Sequence, residues 1–392
     1  SDANSNVSST AASGSNTPVT FGGTYIIPDI LSHNEVTAQT VIYTITPTSN
    51  GCPGTSITVT IVVAPSINAG TVGAVQTICS GDTPAAFTQT GAPSGGSSYG
   101  YQWYSSTTSA TGPWAIIGGA TATGYSAPAL TQNTWYQRVV TANVSTTPSP
   151  STGVTYTATS NSCTANNTAI AVTINNINPG TIAGTQAVCN GSIPIGFTNV
   201  TLATGGNTPT YQWQVSTNGA DCITDFTDIP GATGVGYTPA AGLTVTTYYR
   251  RKETSTLSGK ACVAYSNCIT VTINNVTAGT VGSDQTICGN NPDAFTVIVA
   301  ATGSGVLSYQ WQSNTTGCGG SWGNITVNGT SATYDPPPGL SATTYYRRIT
   351  TSTLNGVSCS VNGNCITVTA NSVTAGAISG NRTICSGGDP DA

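Results

Sequence analysis

One phrase returns four times along the chain, at intervals the size of a domain. It reads AGTVGAVQTICSGD from Ala69, PGTIAGTQAVCNGS from Pro179, AGTVGSDQTICGNN from Ala278 and AGAISGNRTICSGG from Ala375. Its glycines, Gly70, Gly180, Gly279 and Gly376, are 110, 99 and 97 residues apart. Solenoid repeats usually run about 20–50 residues, so a period near 100 means an array of whole domains.

Further landmarks recur in fixed order within each period. A YQW triplet stands at Tyr101–Trp103, Tyr211–Trp213 and Tyr309–Trp311, and a GAT or GTS turn follows at Gly119, Gly231 and Gly329. An aromatic stretch then ends at Arg138, Arg251 and Arg348, and each unit closes on an alternating segment: AIAVTINN, CITVTINN or CITVTANS. Apolar residues at every second position, bounded by Gly, Pro, Asn and Ser, predict short antiparallel strands. The fold class expected is all-β, with tandem immunoglobulin-like antiparallel β-sandwich domains arranged as an elongated rod. Three complete repeats are read at 66–176, 177–275 and 276–373. Residues 1–65 read as the C-terminal part of another domain, and 374–392 as the first strand of a further repeat. Closing and opening segments are separated by only two or three residues. Such short linkers predict a semi-rigid head-to-tail rod. Its junctions are expected to be small and free of charged contacts, with limited bending at Asn178-Pro179, Thr277-Ala278 and Thr374-Ala375.

Composition narrows the function classes. Only 5% of the 392 residues are charged, against about 25% in an average soluble protein. The net charge is −5 and the eight basic residues are scattered, so no basic stripe is present to collect phosphates and no nucleic-acid partner is expected. No apolar run approaches the roughly 20 residues of a membrane helix, and no membrane insertion is expected in this stretch. The absence of Met and of a signal-peptide pattern suggests a processed or interior piece, with export and anchoring signals elsewhere. Twelve cysteines at recurring positions favour an oxidising compartment.

The QTIC opening, YQWQ, the GAT turn, TTYYRR and the closing TVTINN together resemble the immunoglobulin-like repeats of giant Bacteroidota surface adhesins, of the SprB gliding type. The segment YTITPTSNGCPGTSITVTI, from Tyr43, resembles the PKD-like domains that neighbour such repeats. The resemblance implies a location at the outer-membrane surface or outside the cell, and a type IX export route through a C-terminal signal.

The cysteines allow a pairing to be argued. Aligned on the TINN ends, Cys163 stands opposite Cys262 and Cys359, whereas Cys268 and Cys365 stand opposite Ala169. The first repeat also lacks a counterpart of Cys222 and Cys318. Two positions missing together point to one bridge, Cys222–Cys268 and Cys318–Cys365. The shared bridge is then expected inside each repeat, as Cys79–Cys163, Cys189–Cys262 and Cys288–Cys359. Cys52 and Cys385 remain unpaired in the sequence. Zinc is disfavoured, because the Cys262/Cys268 spacing has no second close pair or His beside it.

Trp103, Trp213 and Trp311 occupy the place of the core Trp on strand C of immunoglobulin domains. Trp114, Phe226 and Trp322 share a second position that reads as packing, with sugar stacking as the alternative. Trp135 replaces Tyr248 and Tyr345, which makes Trp135, with Trp114, the ligand-binding candidate. Arg138, Arg251 and Arg348 read as structural, with binding of a ligand carboxylate as the alternative. Asp221, Asp225 and Asp228 form the only acidic cluster and are a weak Ca²⁺ candidate. His33 is the only His, and no acidic residue lies between Thr83 and Ala220, so no catalytic constellation repeats and no cofactor is expected. The leading expectation is a non-enzymatic stalk of a surface adhesin whose partners are neighbouring repeats, with a surface or glycan ligand possible. The alternatives are a carbohydrate- or ligand-binding module and an accessory region of a secreted, polysaccharide-degrading enzyme.

Overall fold

The structure is a computed structural model that describes residues 8–9, 31–35, 37–144, 162–373, 375–380 and 382–387. All of its regular elements are β-strands. The first repeat sets the pattern. Its main sheet runs, edge to edge, through Ala115–Ile116, Ser98–Ser106, Thr134–Asn143, Ile170–Asn175 and Gln76–Cys79. A sixth strand, Ser162–Asn166, extends the far half of Thr134–Asn143 as a hairpin. The opening strand Gln76–Cys79 lies parallel to the closing strand Ile170–Asn175, and the other pairings are antiparallel. The second and third repeats reproduce this six-stranded order. A two-stranded pair accompanies each main sheet, Thr71–Val72 with Gln89–Gly91 in the first repeat. A single bridge, Phe87–Tyr125, Phe197–Tyr237 or Phe295–Tyr334, ties further backbone alongside it.

The sequence alternation explains the layers. Along Thr134–Asn143, Thr134, Tyr136, Arg138, Val140 and Ala142 are buried while their neighbours are not, as a period of two requires. The core of the first repeat gathers Val72, Ile78, Phe87, Trp103, Tyr136, Ile170 and Val172, and the other two cores are built from the corresponding positions, with Ile182 and Val188 exchanging the Val and Ile in the second. Phe87, Trp103, Tyr125 and Tyr136 form an aromatic cluster with ring centroids 4.9–5.9 Å apart. Phe197, Trp213, Tyr237 and Tyr249, and then Phe295, Trp311, Tyr334 and Tyr346, repeat it. Each Trp of the YQW triplet is 0% exposed, and its indole N–H donates to the carbonyl of Ala122, Gly234 or Ser331. Gly70 and Gly279 have φ of +69° and +65°, and a Cβ there would strike the backbone at Gly91 and Val299, so the opening phrase requires glycine at these positions.

Ahead of the first repeat, Gln39–Ile45 pairs with Ile57–Val63 in continuous antiparallel register. Behind the third, residues 375–380 and 382–387 carry no strand, unlike the strand expected there. In each complete repeat the opening strand is held by parallel pairing with that repeat's own closing strand, roughly 80–95 residues downstream, and residues 375–380 and 382–387 make no such pairing among the described residues.

The chain divides into two compact units. The first is Ser1–Asn178 with Thr204–Pro209 and Thr254–Ala264, and the second is Pro179–Ala203, Thr210–Glu253 and Tyr265–Ala392. The hairpin tip of the second repeat therefore belongs with the body of the first.

Candidate functional site

The cysteines pair differently from the expectation. Cys79 is bonded to Cys262 and Cys189 to Cys359, so the opening-strand cysteines of the first two repeats are each joined to the hairpin of the next repeat. The bridges Cys79–Cys163, Cys189–Cys262 and Cys288–Cys359 are not formed, and Cys52, Cys163, Cys288 and Cys385 are free thiols. Strand register supplies the reason. Cys79 lies opposite Asn175, past the residues of the closing strand that pair with Thr134–Tyr136, while Cys163 lies opposite Ala142. Thr134 and Ala142 are eight residues apart on one strand, roughly 27 Å at strand rise, whereas a disulfide needs Cα atoms within about 7 Å. The two cysteines of one repeat are thus at opposite ends of its sheet. Cys222–Cys268 and Cys318–Cys365 are formed within their repeats.

Beside each inter-repeat bridge lies a buried asparagine. Asn175 ends the closing strand of the first repeat and is 0% exposed. Its Nδ2 donates to the carbonyls of Ser255 (2.8 Å) and Lys260 (2.9 Å), and its Oδ1 accepts from the Ser255 hydroxyl (2.9 Å). Asn274 does the same with the Ser352 carbonyl (2.8 Å), the Val357 carbonyl (2.9 Å) and the Ser352 hydroxyl (2.7 Å). Asn175 is the register partner of Cys79, and Asn274 of Cys189. One row of two residues therefore grips a hairpin twice, by a covalent bond and by a fully satisfied amide. Lys260 also lies 3.6 Å from Asp82, a half-exposed pair of small energetic value. This corrects the expectation of a junction without charged contacts.

Arg138, Arg251 and Arg348 are at most 1% exposed, which removes them as ligand-carboxylate binders. Each guanidinium lies over the Tyr of its own YQW triplet, at 4.8, 4.4 and 4.5 Å. Each also donates to the backbone after the GAT or GTS turn, at Thr123, Val235 or Ala332. Arg138 and Arg348 reach the carbonyls of Ala69 and Ala278 in the opening phrase. Pro179 holds that position in the second repeat, where Glu253 takes over: its Oε1 accepts from Arg251 at 2.7 Å and its Oε2 from the Gly180 N–H at 2.8 Å. Burial pushes the Arg138 and Arg348 guanidinium pKa down, and the adjacent tyrosine opposes it. Burial also pushes the phenols of Tyr136, Tyr249 and Tyr346 up to about 12.

The remaining candidates separate. Asp221 accepts from the N–H groups of Ile223 and Thr224 and from the Thr224 hydroxyl, and these bonds hold its carboxyl down at about 2, the hydroxyl contributing most. Asp228 accepts from Gln214, and Asp225 is exposed. Among the described residues no three His, Cys, Asp or Glu side chains converge as a metal site, so the acidic cluster does not assemble. His33 is buried, with Nδ1 accepting from the Glu35 N–H and Nε2 meeting the Val63 carbonyl. Trp135 and Trp114 are half-buried. In the other repeats, Arg250 covers Phe226 at 4.2 Å and Arg347 covers Trp322 at 4.4 Å. Gln137 stands in that arginine's place in the first repeat, so Trp114 has no cation on its face among the described residues. No helix of the described residues is long and apolar enough to cross a membrane.

The sheet order, the three repeated cores and the PKD-like N-terminal segment define a protein of tandem immunoglobulin-like β-sandwich domains. The chain belongs to the family described as Domain of unknown function (DUF8696), which matches it at residues 68–160, 178–275 and 277–372. A PKD-like domain matches residues 3–67. Among solved structures, the I67–I69 domains of titin (E-to-A variant) are similar at 8% identity and a TM-score of 0.36, covering 79% of this chain and 99% of that one. Sidekick-1 immunoglobulin domains 1–4 are similar at 12% identity and a TM-score of 0.23, covering 79% of this chain and 74% of that one. No match was found among curated proteins.

Proposed function

We propose that this chain is a load-bearing spacer in the stalk of an extracellular bacterial adhesin, working in surface attachment or gliding at the Bacteroidota outer membrane. The observation that carries the reading is the clasp: the same Cys and Asn grip the following hairpin twice, at two successive junctions. Disulfides in an oxidising compartment and a surface nearly free of charge suit a protein exposed outside the cell. The domain boundaries proposed are 66–176, 177–275 and 276–373, following the partial domain 1–65. An elongated rod is expected, because each domain should advance the axis by roughly 35–45 Å at strand rise, giving on the order of 100–130 Å for three. Small-angle scattering tests this, and a compact particle would refute the spacer.

A second reading has one observation in its favour. Trp114 is half-buried, and its exposed face lacks the arginine that covers its counterparts. A glycan-stacking role there predicts that soluble polysaccharide changes tryptophan fluorescence in the intact chain and not in Trp114→Ala. No change in either protein removes the reading.

A further inference from the structure

The clasp has three instances of its gripping residues and only two of its grip. Asn371 stands in the third repeat where Asn175 and Asn274 stand in the first two, and Cys288 stands where Cys79 and Cys189 stand. The closing strand Ile366–Ala370 pairs in parallel with Gln285–Ile287, so the two residues sit side by side at the end of the same sheet edge. The N–H of Asn371 donates to the Ile287 carbonyl at 2.9 Å, which fixes the end of the strand in the same register. Whereas Asn175 and Asn274 are fully buried, Asn371 is exposed, and Cys288 is an exposed thiol. They border an open pocket lined by Leu340, Ser341, Ala370 and Val373 as well.

We propose that this pocket is a socket for the hairpin of a further repeat of the same family. Cys288 would form a disulfide with the hairpin cysteine of that repeat, and Asn371 would bond the hairpin backbone. Residues 375–387 repeat the opening phrase up to Cys385, so the occupant committed to is the repeat which that phrase begins. The hairpin needed is defined by the two seen: a Ser facing the asparagine, as Ser255 and Ser352 do, then a turn, then a Cys, as Cys262 and Cys359. Forming the bond oxidises two thiols, and the two electrons and two protons pass to a disulfide oxidant such as oxidised glutathione, which leaves as two thiols. The inference does not depend on the adhesin reading, because it concerns how repeats join and not what the assembly holds.

The test replaces residues 373–392 of the chain with a second copy of residues 177–275, refolded with oxidised and reduced glutathione. Asn371 aligns with Asn175, so the added repeat follows in natural register. Non-reducing peptide mapping should find Cys288 joined to the Cys262 peptide, a linkage the unaltered chain does not contain. Cys288→Ser should leave the added Cys262 alkylatable. Asn371→Ala, at a fixed glutathione ratio, should lower the bridged fraction several-fold. The proposal is overturned if Cys288 stays alkylatable while the added Cys222–Cys268 bridge, the marker of a folded added repeat, is present. It is also overturned if Cys288 joins a cysteine of its own repeat, or if it joins Cys163 of a second molecule in preference to the appended hairpin.

Discussion

Overlapping bridges set a hard limit on how far the chain can be stretched. The shortest covalent path from Cys79 to Cys359 crosses to Cys262, runs six residues to Cys268, crosses to Cys222, runs 33 residues back to Cys189 and crosses to Cys359. It contains 39 residues, against 280 along the reduced chain. At about 3.5 Å per extended residue, with three bridges of 5.5–5.7 Å between Cα atoms, the oxidised span is limited to about 150 Å and the reduced span to about 980 Å. Single-molecule pulling on the chain ends, with and without a reductant, measures the difference directly. Adding the reductant should release about 830 Å of extra contour length between these two cysteines. Bridges closed within each repeat would leave a path of 52 residues and an oxidised limit about 45 Å longer, which is resolvable by the same measurement. A longer limit of that size, or a length insensitive to reductant, would refute the clasp and with it the load-bearing role.

Asn274→Ala removes two donated bonds and one accepted bond, leaving the Ser352 carbonyl, the Val357 carbonyl and the Ser352 hydroxyl without their buried partner, at a cost of about 3 kcal/mol. Calorimetry of the reduced chain should show this loss, since the intact bridge would mask part of it. Glu253→Gln strands the buried Arg251 charge and should destabilise the second repeat by about 3–5 kcal/mol in denaturant titrations, with the other two repeats unaffected. The folded phenols of Tyr136, Tyr249 and Tyr346 titrate near 12, above the ordinary value of 10.0. Their folded pKa is raised, so their contribution to stability is complete below pH 10 and is lost as pH rises toward 12. Phenolate absorbance should therefore rise in one step with unfolding in that window, and early titration of these tyrosines in the folded chain would contradict their burial.

Much of this architecture was legible because it repeats. The burial of Trp103, Trp213 and Trp311 follows from one aromatic kept at one place in an alternating strand, and the two bridges Cys222–Cys268 and Cys318–Cys365 follow from positions absent together in the first repeat. Phe87, Phe197 and Phe295 were just as regular, each 16 or 17 residues after Gly70, Gly180 or Gly279 of its opening phrase, yet nothing in their local pattern announced an aromatic cluster. The inter-repeat bridges were misread for a specific reason. Alignment finds which cysteines are equivalent, but two equivalent sets can be joined within a repeat or with an offset of one repeat, and both satisfy the same count. Sheet geometry decides between them, because Cys79 and Cys163 lie at opposite ends of one sheet, farther apart than the roughly 27 Å from Thr134 to Ala142.

The offset also explains which residues can carry the junction. A cysteine at one end of a sheet and another at the opposite end make a repeat bivalent, so one repeat can be bonded to both of its neighbours in the chain. The sulfur bond alone would leave the hairpin free to rotate about it. The asparagine supplies direction, because its planar amide donates to two carbonyls on the hairpin and accepts from a hydroxyl on the same hairpin, and all three must be met at once. A charged residue in its place would carry a large desolvation cost at full burial, while an apolar one would leave the two carbonyls orphaned. A neutral amide meets both constraints. With 5% charged residues in the whole chain, polar amides and hydroxyls remain the groups from which such a junction can be made.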